Sequence, residues 1–178
     1  MTIGTVGVLF FRLDGPVLDT NAAFRRITGY DAEALRALSN WIDLTPPEFH
    51  EATLRAAAEL TARGEATPYE KQMIRRDGSR FWGLFAPTRL TGTGAQTECV
   101  EFILDITDRK QAEEALRQSK MRQAFMLQLS DALRPLADAA DIQSEASRLL
   151  GQALGADRTC YVEVDETQDR DWVRSEYS

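Results

Sequence analysis

The stretch Glu98-Cys-Val-Glu-Phe-Ile-Leu-Asp-Ile106 decides the fold class of this chain. Its residues alternate along the segment, which is typical of a β-strand with one buried face. The apolar residues on one side are Val100, Phe102, Leu104 and Ile106. Because Glu101 and Asp105 fall on the other side, we expect the first side to face the core. One-sided alternation of this kind predicts an antiparallel sheet.

Four more strand-like segments precede this one, and turn residues join them in pairs. They cover residues 6–13, 17–20, 69–75 and 80–90. Asp14-Gly15-Pro16 lies between the first two, and Arg76-Asp77-Gly78-Ser79 lies between the last two. Both stretches are hairpin signals. The five segments together predict a five-stranded antiparallel sheet.

The residues between the two hairpins have helical character. Asn21 and Asp31 stand where helix N-caps are expected. Thr45-Pro-Pro-Glu48 combines a hydroxyl cap, first-turn prolines and a capping-box carboxylate, so it predicts the start of a helix that ends near Arg63. Strands, several helices and strands again predict an α+β domain with short helices on one face of the sheet.

A long helix without Pro or Gly is predicted after the last strand, over residues 109–133. Its apolar and small residues form a thin seam at nearly heptad spacing. These residues are Ala112, Leu116, Ser119, Met126 and Leu133. A helix this polar is marginal by itself, so we predict that residues 109–134 are a coiled-coil linker that pairs two copies in a homodimer.

Residues 135–178 predict a second α+β region. An amphipathic helix is expected over residues 139–154, with Gly155 as its stop, followed by a strand at 159–164 and a polar tail. One helix and one or two strands cannot bury a core of their own. We therefore expect this region to be the truncated beginning of a domain.

Composition places the chain in a broad class. Its 178 residues are 43% hydrophobic and 28% charged, as in an ordinary globular protein, and the net charge is −7. This acidity argues against nucleic acid as a partner. The longest apolar run, residues 6–11, is too short for membrane insertion, and no secretory signal is visible. Cys99 and Cys160 lack metal-site spacing, so the sequence predicts a cytoplasmic protein with free thiols and no metal.

Three stretches together resemble the PAS family of sensory domains. Asp19-Thr-Asn-Ala-Ala-Phe-Arg-Arg-Ile-Thr-Gly-Tyr30 is similar to the family's first helix. Arg75-Arg-Asp-Gly-Ser-Arg-Phe-Trp82 is similar to its hairpin, and Glu101-Phe-Ile-Leu-Asp-Ile-Thr-Asp-Arg-Lys110 is similar to the "D-I-T-x-R-K" junction at its end. The resemblance implies a PAS domain over residues 5–108. The run from Gln128 onward resembles the opening of a GAF domain, which would cover residues 135–178.

In bacteria, the order PAS, helical linker, GAF resembles the input half of sensor histidine kinases in two-component systems. The resemblance implies that a signal passes from the sheet into the linker helix toward downstream effector domains. It makes Asp105, Thr107 and Arg109 the junction residues, with an Asp105–Arg109 ion pair expected across the corner. Two alternatives stay open: a ligand-free PAS scaffold that aligns two copies, and the input half of a cyclic-dinucleotide enzyme.

Apolar and aromatic residues are the candidates for lining an interior pocket. They are Phe10, Phe24, Ile27, Trp41, Leu44, Leu54, Met73, Trp82, Leu84, Phe102 and Leu104. Such a set is more often plain core than a cofactor site, and a small apolar ligand is the alternative.

Catalysis and cofactors find little support in the residue types. His50, the only histidine, is expected to be a solvated residue at a helix start rather than a haem ligand. No cysteine precedes Cys99, so covalent flavin photochemistry lacks a nucleophile. No phosphate-binding loop is present. We expect a non-catalytic chain with no cofactor.

Overall fold

The computed structural model describes residues 6–92, 94–165 and 170–177. The chain divides between Ala112 and Glu113 into two compact units, which are described separately below. The first and last predicted domain boundaries, residues 5 and 178, lie outside the described residues. The division of the chain into residues 5–108, 109–134 and 135–178 stays a prediction.

The N-terminal unit contains one five-stranded antiparallel sheet, in the order β2-β1-β5-β4-β3. The strands are β1 (Gly7–Arg12), β2 (Val17–Thr20), β3 (Tyr69–Ile74), β4 (Arg80–Thr91) and β5 (Glu98–Asp105). Both predicted hairpins are present, and the last strand pairs with the first in the middle of the sheet. The predicted α+β class and five-stranded sheet are confirmed.

Helices occupy the connection between β2 and β3. They are α1 (Ala22–Thr28), α2 (Ala32–Arg36), α3 (His50–Arg63) and the 3-10 helices Trp41–Leu44 and Pro47–Phe49. A further 3-10 helix, Gly94–Gln96, precedes β5. The Asn21 side chain accepts a hydrogen bond of 2.8 Å from the Phe24 amide, and Asp31 caps α2 in the same way. These two caps are the predicted ones.

The predicted capping box at Thr45 is wrong. Pro47–Phe49 forms a 3-10 turn, and α3 begins at His50 without a side-chain cap. The reason is that the Thr45 hydroxyl accepts a hydrogen bond from the Lys71 Nζ, at 3.1 Å, so it does not cap the helix.

The predicted buried side of β5 is confirmed for Val100 and Ile106, which are buried, and is wrong for Phe102 and Leu104 between them. Cys99, Glu101 and Ile103 face the helices, whereas Phe102 and Leu104 are 47% and 40% exposed on the outer face. The register explains this, because Glu101 pairs with Leu9 on β1, which is itself buried under the helices. The core therefore lies between the helices and the inner face of the sheet. Its largest members are Leu9, Phe11, Phe24, Leu35, Leu44, Leu60, Met73, Phe81, Phe85 and Ile103.

The long helix α4 (Thr107–Leu133) follows β5 and crosses the division between the two units. None of its residues is buried.

The C-terminal unit also contains α5 (Ala139–Leu154) and a two-stranded antiparallel hairpin, β6 (Thr159–Asp165) and β7 (Arg170–Tyr177). The Asp138 side chain caps the start of α5, and Gly155 ends it in the left-handed conformation, as predicted. The sequence predicts a polar tail after residue 164. The structure has the strand β7 in this tail.

Candidate functional site

The point where β5 turns into α4 is organised by one carboxylate. Asp105 Oδ1 accepts hydrogen bonds from the Thr107 amide, at 2.9 Å, and from the Thr107 hydroxyl, at 2.6 Å. Asp105 Oδ2 accepts from the Arg75 guanidinium on the hairpin side, at 3.2 Å. Asp105 therefore connects the first residue of α4 to the end of β3.

Thr107 attaches the same corner to β4. Its hydroxyl oxygen accepts a hydrogen bond of 3.0 Å from the Trp82 amide, while the Ile106 amide donates to the Trp82 carbonyl oxygen at 2.9 Å. Two consecutive residues of the chain are thus bonded to one residue of β4. This fixes the position at which the helix leaves the sheet.

The expected ion pair between Asp105 and Arg109 is not formed. Asp105 is occupied by Thr107 and Arg75, and Arg109 instead lies 2.5 Å from Glu70 on β3. The Lys110 ammonium also lies 2.5 Å from Glu70, and it covers the Trp82 ring at 5.1 Å from the ring centroid. Hydrogen bonds from Lys110 and Arg109 lower the pKa of the Glu70 carboxyl.

Arg75 is a further residue of the junction, and in the sequence it stands out only as the start of the hairpin stretch Arg75–Trp82. Its guanidinium donates to the Ile27 carbonyl oxygen of α1 and to Asp105, and lies 4.5 Å from the centroid of the Phe81 ring. Arg75 thereby connects α1 with the corner between β5 and α4. In the sequence, the resemblance of residues 75–82 to the PAS hairpin is the signal that could have pointed to Arg75.

Replacement of Asp105 by alanine is expected to destabilise this corner by about 2 kcal/mol, because it removes one acceptor from three hydrogen bonds, one of them to a cation. Amide hydrogen exchange should show faster exchange at Thr107 and in the first turn of α4. Asp108→Ala is the matched control, since Asp108 is an exposed acid in the same turn. Equal exchange in D105A and D108A would show that Asp105 does not fix the helix start.

A second polar cluster lies inside the domain, between α3 and the sheet. The Lys71 side chain is 2% exposed, and its Nζ donates to the hydroxyls of Thr45 and Thr53, at 3.1 and 3.3 Å. The same ammonium lies 4.6 Å from the centroid of the Phe85 ring and 5.5 Å from that of Tyr69. Burial lowers the pKa of Lys71, partly offset by the negative charge of Glu101.

Glu101 is the anionic member of this cluster and is 6% exposed. Burial raises the pKa of its carboxyl, and the Lys71 charge partly opposes this. Glu101 lines a cavity of about 10 Å³, room for roughly one water molecule. The other lining residues are Phe11, Trp41, Thr53, Ala56, Ala57, Leu60, Tyr69 and Pro87. Alternation alone predicts that Glu101 lies on the exposed face of β5, and no signal in the sequence marks Lys71 as buried.

The predicted pocket residues do not gather in one place. Phe24, Leu44 and Met73 are buried in the core, with Ile27 and Trp41 packed against it, and Trp41 also lines the cavity. The others lie elsewhere: Phe10, Trp82 and Leu84 are half-buried, while Leu54, Phe102 and Leu104 are exposed. Phe102 and Leu104 do not line the interior, because the pairing of β5 with β1 and β4 places their side chains on the outer face of the sheet.

The remaining predicted residues are placed as follows. The seam residues Ala112, Leu116, Ser119 and Met126 are exposed along α4, and Leu133 is half-buried. His50 is half-buried at the start of α3, with its Nε2 at 2.9 Å from the Thr45 carbonyl oxygen. Cys99 is buried on the inner face of β5, and burial raises the pKa of its thiol to about 11. Among the described residues, no helix has the length and hydropathy to cross a membrane.

Comparison with known proteins gives a consistent family assignment. The family model described as "PAS domain" matches residues 5–108, more than half of the chain. The hybrid signal transduction protein dokA of Dictyostelium discoideum is 31% identical over 134 residues, which are 74% of this chain and 8% of that protein. The sensor histidine kinase TmoS of Ectopseudomonas mendocina is 32% identical over 114 residues, 63% of this chain and 12% of that protein. The chain thus spans about a tenth of the length of these two relatives.

Among solved structures, a sensory box histidine kinase/response regulator from Burkholderia thailandensis superposes with a TM-score of 0.54. The match covers 68% of this chain and 92% of that chain, at 20% identity. At this identity the likeness concerns the fold alone.

Proposed function

The chain belongs to the PAS domain family, and on that premise we propose that it is a sensory or regulatory input segment of a sensor histidine kinase. The relatives named above are signal transduction proteins, one of them a sensor histidine kinase. Within such a protein, this segment would have no catalytic step of its own. Its role would be to set the geometry of the helix that leads to the downstream domains.

The observation that carries this proposal is the bonding at the start of α4. Asp105 and Thr107 join that start to β4 and to Arg75, and Glu70 holds the same first turn through Arg109 and Lys110. A shift of β3 or β4 would therefore act directly on the direction of the helix. This arrangement suits a relay, because rigid elements with a bonded corner transmit displacement.

The relay requires a partner for α4, and we propose a second copy of the same helix. Leu116 and Met126 are 56% and 57% exposed, although both are apolar. A helix of 27 residues with no buried side chain gains little from packing within its own chain. Pairing along the seam of Ala112, Leu116, Ser119, Met126 and Leu133 would cover these residues in a homodimer.

The double variant Leu116→Asp with Met126→Asp is expected to weaken self-association at least tenfold, because four carboxylates would then meet in the seam of a dimer. Analytical ultracentrifugation of the whole chain measures the dissociation constant. The matched control is Met121→Asp with Gln128→Asp, which adds the same charge on the opposite side of the helix. Equal weakening by both double variants, or by neither, would argue against pairing through this seam.

A ligand-free scaffold is the second candidate, and the small interior cavity favours it. A core with room for one water molecule does not accept an organic ligand without rearrangement. Native mass spectrometry and absorption spectroscopy of the purified chain distinguish the two functions. A co-purifying small molecule would support ligand sensing, and its consistent absence would support the scaffold. Input to a cyclic-dinucleotide enzyme stays an alternative for the downstream part.

A further inference from the structure

A buried acid and a buried base face the same interior without touching each other. Lys71 and Glu101 are 2% and 6% exposed, on strands that are separated by β4. Within residues 6–92, 94–165 and 170–177, Lys71 donates to two threonine hydroxyls, and no carboxylate is paired with it at contact distance. Glu101 faces the cavity, and Lys71 acts on it through space.

This separation is costly, because a buried charge is stabilised only by a close counter-charge or by sufficient hydrogen bonds. Lys71 has hydroxyl and aromatic partners, whereas the Glu101 carboxylate accepts no hydrogen bond from a described residue and keeps a small solvent contact. The cavity beside Glu101 is too small for an organic molecule. A ligand that fits without any rearrangement, and that relieves the negative charge, is a proton.

We propose that Glu101 and Lys71 form an interior proton-binding site, and that its protonation state alters the packing of α3 on the sheet. Lys71 is the link to the helix, since it bonds to Thr53 within α3 and to Thr45 just before it. Protonation of Glu101 removes the charge that attracts Lys71. The electrostatic attraction on Lys71, and therefore on the strand β3 that carries it, becomes weaker as a result.

The strand β3 also reaches the linker helix. Lys71 points into the core, and the preceding residue, Glu70, lies on the outer face, where it pairs with Arg109 and Lys110. Adjacent residues of one strand thus contact the interior site and α4. This part of the proposal rests on the proposed relay, and it identifies β3 as the element that carries the change.

The pH dependence expected of this site follows from the pKa shifts of Glu101 and Lys71. Burial is the main cause of both shifts. Because the folded state holds the Glu101 proton more tightly, stability falls as pH rises from 4.5, the ordinary glutamate value, to the raised pKa. For Lys71 the sign is opposite: stability rises with pH between the lowered pKa and 10.5. Tyr69 and Cys99, whose pKa values burial raises, face the same interior, and His50 contacts Thr45 from the start of α3.

Carbon-13 NMR of the glutamate-labelled chain tests the site directly. The Glu101 carboxyl resonance, identified by its absence in Glu101→Gln, is expected to titrate above the exposed glutamates. In Lys71→Met its midpoint should rise further, by about one pH unit, a tenfold gain in proton affinity. His50→Gln is the control and should leave the midpoint unchanged. A Glu101 midpoint among those of the exposed glutamates, or one indifferent to Lys71→Met, would overturn the proposal.

The link to α4 has a separate readout. The amide resonances of Trp82 and Lys110 are expected to shift with the Glu101 midpoint, and Glu70→Gln should reduce the shift at Lys110 while Glu101 still titrates. Constant Trp82 and Lys110 resonances during the Glu101 titration would overturn the role of β3 and leave the proton site standing. Neither result depends on dimerisation, so failure of the proposed pairing is distinguishable from failure of this site.

Discussion

Lys71→Met is expected to lower the free energy of unfolding by about 1–3 kcal/mol, because it removes two buried hydrogen bonds to threonine hydroxyls and the positive charge that acts on the buried Glu101 carboxylate. Adding Glu101→Leu to the same chain should restore stability to within about 1 kcal/mol of the wild type, or raise it above the wild type. The reason is that buried residues of opposite charge are often replaced by apolar side chains of similar volume at no cost. The second substitution would thus be stabilising only where the first is present.

Urea denaturation followed by circular dichroism measures the free energy of unfolding of Lys71→Met, of Glu101→Leu and of the double variant against the wild type at pH 7. Lys120→Met on the exposed part of α4 is the matched control, and we expect it to change stability by less than about 0.5 kcal/mol. If the decreases in the free energy of unfolding caused by Lys71→Met and by Glu101→Leu simply add in the double variant, the two charges are energetically independent. The proposed coupling between Lys71 and Glu101 would then be absent.

Phe85→Ala is expected to cost about 3–5 kcal/mol, the usual range for removing a fully buried phenylalanine ring. Phe85 is 0% exposed, and its ring contacts Tyr69 at 5.8 Å between centroids and carries the Lys71 ammonium on its face. It also fills the space above Gly83, where an added Cβ would lie 2.5 Å from the ring. Loss of the ring would therefore open the core at the position of the charge cluster.

Phe102→Ala is the matched control for this substitution and is expected to cost about 1 kcal/mol or less, because the ring is 47% exposed. Thermal or urea unfolding of both variants compares the two faces of the sheet directly. Similar losses from the two substitutions would mean that Phe102 is covered in solution, and the outer face would then be an interface.

The local elements were predictable because their signals are local. Asn21 and Asp31 cap α1 and α2, as the sequence predicts, and the predicted turn at Asp77-Gly78 joins β3 and β4. Hydrogen bonds of this kind join residues two or three positions apart, so composition and spacing are sufficient to reveal them.

The ion pair expected at the junction, between Asp105 and Arg109, is not the one that forms. Asp105 and Thr107 do organise the start of α4, but the partner of Asp105 is Arg75, thirty residues earlier in the chain. Arg109, only four positions away, bonds to Glu70 instead. Proximity in sequence favoured the wrong pair, because the position of the β3–β4 hairpin was not known.

The sequence by itself determined the five strands of the N-terminal sheet, the helical character of the segment between β2 and β3, the α+β class and the long helix after β5, since each follows from periodicity or from a capping or turn residue. Only the tertiary structure decided which face of β5 is buried. Both faces of that strand carry apolar residues and an acid, so alternation alone does not distinguish them. Pairing with β1 and β4 turns Glu101 inward, toward the interior that holds Lys71 of β3, and leaves Phe102 outside. A buried carboxylate is acceptable there because a buried ammonium shares the same core, and that relation depends on strands far apart in the chain.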